Sequence, residues 1–213
     1  MSDDNSNLYV YGIIEQTDIE MEVDGVYGAS TLGTVDYRSH SALTSTIDTT
    51  DPERTDEAVA THDDVLRAVV ERDDVETVVP MGFGMAFKNA RTLKGVMRGA
   101  QRAFRKALND VEGCVELGIK LVDPADGATD ADELRGALED ELDPLSAGQT
   151  EDDLFSDRLI ANRSYLVEQD QRDAFDEAVE RVETENEDVL VKYTGPWAPY
   201  NFVDIHIGAE ASN

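Results

Sequence analysis

The residues that could act as bases, nucleophiles or metal ligands are few and scattered. The chain holds three histidines, His40, His62 and His206, and one cysteine, Cys114. His62 is followed by Asp63, and His206 lies two residues after Asp204. Either pair could polarise a proton, yet neither has the third partner that orients a base or the spacing that holds a metal. Gly82-Phe83-Gly84 lacks the third glycine of a phosphate loop, and no nucleophile elbow or dinucleotide fingerprint is present. No cofactor and no metal is expected. His62 falls on the apolar face of a predicted helix, where a satisfied core histidine is the plain reading and a ligand or base the sharper one. Cys114 opens an apolar strand and reads as a small core hydrophobe, and a single cysteine forms no internal disulfide.

Recognition chemistry is better represented. Lys88, Arg91, Lys94, Arg98, Arg102, Arg105 and Lys106 place seven of eighteen basic residues in a segment without a single acid. Lys94, Arg98, Arg102 and Arg105 recur at helical spacing and form one stripe. Three readings stand: an internal ion-pair network with the acidic remainder of the chain, a face for a protein partner, or a nucleic-acid contact. The strongly acidic balance argues against the last. A second candidate is the loop Met81, Phe83, Met85 and Phe87, in which glycines separate large apolar side chains. The third is TGPWAPYNFV, where Pro196 and Pro199 stiffen a segment carrying Trp197, Tyr200 and Phe202. Both apolar sets suit either a core or an adaptable partner surface.

The elements that must position these residues follow from periodicity. Leu8 to Ile14 reads as a central strand, with two further strands at Thr31 to Tyr37 and Ser41 to Ile47. Asp51-Pro52 predicts a helix start, and Ala58, Val59, His62, Val65, Leu66, Val69 and Val70 form its inner face. A short strand at Glu76 to Pro80 precedes a helix from Arg91 to Leu108, and Cys114 to Val122 is again a strand. Residues 123–156 read as an acidic linker containing a short helix at Ala131 to Leu142. The remainder gives a strand at Leu159 to Glu168, a helix around Phe175, and a strand at Val189 to Thr194. The prolines confine the final segment to a sheet edge or exterior. The expectation is an α+β protein of two domains: 8–122, a mixed sheet with its helices on one face, and 157–208, a reduced ferredoxin-like unit.

Composition bounds the setting. Acidic residues number 47 against 18 basic, a net charge of −29. Such a surface repels itself in dilute buffer, and multimolar salt relieves the repulsion, so the fold is expected to depend on salt. No signal-peptide pattern and no apolar run of membrane-spanning length is seen, so a cytoplasmic location and no membrane insertion are expected.

Taken together, LYVYGII, VVPMGFGMAF, VELGIKL, NRSYLV and TGPWAPYNFV resemble, in order and spacing, the gas vesicle protein F/L family. The short length and acidic composition favour its F branch from a haloarchaeal source. The resemblance implies a non-enzymatic accessory protein of gas vesicle formation, with two α+β domains of which the second is a modified ferredoxin-like fold. It implies association with the small hydrophobic shell protein and with other accessory proteins, at or near the vesicle, with no nucleic acid and no membrane as partner. The competing class is an enzyme or small-ligand protein on a ferredoxin-like scaffold.

Overall fold

The structure is a computed structural model that describes residues 7–124 and 130–205. His206 and the polar lead of residues 1–6 lie outside the described residues. The chain divides into one unit of Met1–Glu112 with Ala198–Asn213 and a second of Gly113–Trp197.

The first unit is built on β1 (Asn7–Glu15), whose apolar run is continuous because it has a sheet neighbour on each side and helices beyond. It is followed by β2 (Met21–Glu22), β3 (Thr31–Tyr37), β4 (His40–Ile47), α1 (Asp56–Val70), β5 (Val78–Pro80), β6 (Ala86–Phe87) and α2 (Ala90–Asp110). The sheet runs β2-β3-β4-β1-β5, with β6 also on β1. Every pairing among its described strands is antiparallel, so the expected mixed sheet is corrected to an antiparallel one. Short turns such as that at Arg38, which takes φ 57°, can join antiparallel neighbours directly.

The helices do not share a face. His40 of β4 packs on Phe104 of α2, ring centroids 6.4 Å apart. Ser45 points the opposite way by strand alternation and stands across from Tyr9, whose hydroxyl meets His62 of α1. The β1–β4 register shifts at a bulge between Val10 and Gly12. Gly12 fits closely there: a Cβ would stand 3.0 Å from the Val79 carbonyl oxygen and 3.1 Å from Leu66 Cδ2, so a larger residue would need its neighbours to give way. α1 starts later than Asp51-Pro52 predicts. Thr55 supplies the cap, its hydroxyl accepting from Ala58 N at 3.1 Å, and Asp56 and Glu57 complement the helix dipole.

The second unit comprises β7 (Cys114–Val122), α3 (Ala131–Leu142), β8 (Gly148–Glu151), β9 (Leu159–Glu168), α4 (Arg172–Glu185) and β10 (Leu190–Trp197). Its antiparallel sheet runs β10-β7-β9-β8. This β-α-β-β-α-β order is a complete ferredoxin-like unit rather than a reduced one. Cys114–Val122 therefore belongs to this unit and not to the first. The segment read as a linker supplies α3 and β8, because Leu134, Leu138 and Leu142 are buried at helical spacing and the short β8 pairs with β9. Val115, Leu117, Ile119 and Leu121 of β7 pack with Tyr165, Phe175, Ala178 and Val179 to form its core. Each fully buried large side chain of this kind contributes about 1.5–3 kcal/mol.

β10 is an edge strand, as its proline requires. Gly195 takes φ 121°, and a Cβ there would lie 2.9 Å from both the Glu116 carbonyl oxygen and Leu117 Cδ2. The unit boundary falls inside the aromatic stretch. Trp197 ends β10, while Tyr200 and Phe202 belong to the first unit.

Candidate partner-binding surfaces

His62 is the polar centre of the first unit, and its chemistry is spent internally. Tyr9 lies 2.7 Å from its Nδ1, and the backbone N–H of Gly84 donates to the Tyr9 oxygen at 3.4 Å. With the Gly84 N–H donating to its oxygen, the Tyr9 hydroxyl donates a hydrogen bond to Nδ1, which puts the proton of the neutral ring on Nε2. That nitrogen is buried and makes no hydrogen bond among the described residues. Burial lowers the His62 pKa to about 4; the Met81 carbonyl opposes this shift and the Arg54 charge adds to it. Burial likewise raises the Tyr9 phenol. A histidine that stays neutral through the physiological range is a core group, the plainer of the two sequence readings. Asp63 points elsewhere and accepts a 2.9 Å hydrogen bond from the Tyr200 hydroxyl.

The loop after β5 is anchored to β1: Met81 N–H donates to the Tyr11 carbonyl at 2.9 Å, and Val10 N–H to the Met85 carbonyl at 2.8 Å. Met81 is 4% exposed and is core. Phe83 packs its ring 5.8 Å from Tyr9 and 6.1 Å from His62, beneath the Arg54 guanidinium. Phe83, Met85 and Phe87 are half-buried, as are Trp197 and Phe202, whereas Tyr200 is exposed and its ring lies 6.5 Å from His62. The loop, Tyr200 and His62 therefore form one aromatic patch, a juxtaposition that sequence separation concealed. Cys114 is buried in β7, and burial together with the Glu168 and Asp170 charges raises its thiol pKa to about 11.

The inner face of α2 buries Leu93, Met97, Phe104, Ala107 and Leu108. Lys94, Arg98, Arg102 and Arg105 are all exposed, and none of the four forms an ion pair among the described residues. Lys106 pairs with Asp110 one turn on, and Gln101 accepts from Arg38 at 3.1 Å. The internal-network reading of the stripe thus has no ion pair to support it.

A further polar cluster escaped sequence reasoning. Arg163 of β9 is 4% exposed and bridges Glu139 of α3 at 2.8 Å and Glu151 of β8 at 3.0 Å. Its Nη1, the Tyr165 hydroxyl and Asp143 Oδ1 are buried without a hydrogen bond among the described residues. Burial raises the Asp143 pKa, and the Arg163 charge opposes the rise. One charged residue within the apolar strand LIANRSYLV was the available signal, but its acceptors lie on separate elements. Among the described residues, no group of three or more His, Cys, Asp or Glu is placed to hold a metal, and no helix is long and apolar enough to cross a membrane.

These features define a two-unit α+β protein whose ionisable side chains secure its cores and whose distinctive surfaces are a basic helix and an aromatic loop. The family described as gas vesicle synthesis protein GvpL/GvpF matches residues 7–133 and 125–204, and the chain belongs to that family. It is 62% identical over 207 residues to gas vesicle protein F of Haloferax mediterranei, covering 97% of each chain. Against gas vesicle protein F1 of Halobacterium salinarum the identity is 59% over 204 residues, covering 96% of each. Crystal structures of the F proteins of Anabaena sp. and Microcystis aeruginosa share the fold, each with a TM-score of 0.80 at 18% and 17% identity. Both matches cover 94% of this chain, and 99% and 100% of theirs.

Proposed function

We propose that this protein acts in gas vesicle formation as a non-enzymatic binding protein that contacts the small hydrophobic shell protein through the aromatic patch of the first unit. The observation that carries this reading is the patch itself: Met85 and Phe87 half-exposed beside Phe83, with Tyr200 exposed at its border. The histidine beneath it is held neutral by burial, which suits a packing surface rather than an acid–base centre. In strong salt, charge contacts are screened while apolar burial is strengthened, so such a patch retains affinity where ion pairs lose it. The near full-length likeness to gas vesicle proteins F supports the setting.

The test is a pull-down of the purified shell protein in about 2 M KCl. Met85→Ser with Phe87→Ser is expected to abolish capture while leaving the unfolding transition cooperative. Capture at the wild-type level by this double variant would overturn the assignment of the patch.

A further inference from the structure

The solvent side of α2 carries two adjacent rows. Lys94, Arg98 and Arg102 follow one another at four-residue spacing and form a raised basic ridge. Beside it, Gly95, Gly99 and Ala103 form a row of the same spacing with almost no side chain, all three exposed. A Cβ added at Gly95 or Gly99 would meet nothing within 4 Å. Nothing packed among the described residues therefore requires these glycines, and glycine inside a helix lowers its stability. The ridge is equally without an internal purpose, since its members make no ion pair among the described residues.

From these rows we infer that the outer face of α2 is a docking site for one α-helix of an acidic protein, a second gas vesicle protein other than the shell protein. The partner helix lays a row of side chains in the Gly95–Gly99–Ala103 groove, and its carboxylates meet the neighbouring guanidinium groups. Charge complementarity selects the occupant. Proteins adapted to the same brine share this chain's excess of carboxylates, so the one basic strip complements their surfaces. The groove adds shape, because small residues let two helix backbones approach closely, and close packing persists when salt screens the charges. A nucleic acid has no use for the groove and meets a chain of net charge −29. A second copy of this chain could not pair α2 with α2, which would set two basic ridges together, so a self-contact would have to be head-to-tail and give a ring or a filament.

This inference rests on the proposed role in gas vesicle formation but not on the aromatic patch, and the experiment separates them. Each purified gas vesicle accessory protein is titrated in turn, in about 2 M KCl, against wild type, Gly95→Leu with Gly99→Leu, and Arg98→Glu with Arg102→Glu. The expected result is one accessory protein whose affinity falls about tenfold or more in both variants. The glycine variant should melt at the same or a higher temperature, since filling the groove removes a helix-weakening feature. Shell-protein capture should be unchanged in both. Wild-type affinity in the glycine variant for every prey overturns the proposal, as does the absence of any accessory protein that binds wild type. A sedimentation shift showing that α2 variants lose only self-association, or a gel shift with duplex DNA that the arginine variant abolishes, also overturns it. Loss of shell capture by wild type would instead strike the aromatic patch.

Discussion

The two units bury a polar group in opposite ways. In the first, His62 sheds its charge: it sits among aromatic rings, accepts a hydrogen bond from the Tyr9 hydroxyl and remains neutral. In the second, Arg163 keeps its charge and draws two carboxylates to it, Glu139 and Glu151, whose side chains remain 53% and 72% exposed. The difference follows from the groups. An imidazole becomes neutral at modest cost, whereas a guanidinium does not deprotonate in a protein and must be paired. The first cluster is therefore sensitive to acid and the second to the loss of a partner.

The largest effect expected of a single substitution at neutral pH is in the charged cluster. Arg163→Ala leaves a cavity and two unpaired carboxylates; because those carboxylates reach solvent, the cost is expected near 2–3 kcal/mol rather than the upper range for a buried pair. Arg163→Met, which fills the same volume without the charge, should cost within about 1 kcal/mol. Denaturant unfolding, with hydrogen exchange showing the loss confined to 113–197, checks both values. Equal costs for Ala and Met would show that the lost charge, and not the lost volume, sets the penalty at this site.

The neutral cluster makes a comparable prediction through pH. The unfolded His62 takes up a proton below about pH 6.5, while the folded residue does so only near pH 4. Between these values the unfolded state binds more protons. Its contribution is thus complete above pH 6.5 and is lost as pH falls through the folded pKa, about 3 kcal/mol in all. Unfolding measured from pH 7.5 to 4 for wild type minus His62→Gln isolates this slope from the many carboxylates. A flat difference would mean that His62 is not held neutral in the fold. The smallest effect is that of Tyr9→Phe, which deprives Nδ1 and the Gly84 N–H of their partner and should cost about 1–2 kcal/mol at pH 7. A change within a few tenths would sharpen the comparison by assigning His62's neutrality to burial alone.

The sequence by itself determined the periodic elements, because side-chain alternation and helical spacing are local. The span Cys114–Val122 was legible to the residue, as were Ala131–Leu142 and Leu159–Glu168. So was the edge position of the Pro196 segment, since proline donates no ladder hydrogen bond. The α+β class and the basic stripe with its exposed face also followed from pattern alone. Tertiary structure decided what depends on distant partners. It moved Cys114–Val122 into the second unit, since the pairing of a strand is not written in its own residues. It drew the linker's helix, α3, into the core of the second unit and added β8, because acidic composition hid that its three leucines are buried and that a four-residue edge strand follows. It set α1 and α2 on opposite faces of the sheet, a consequence of how β4 alternates between them. It joined His62 to Tyr9 across 53 residues and Arg163 to two helix and strand carboxylates, contacts fixed by chain topology rather than by local spacing.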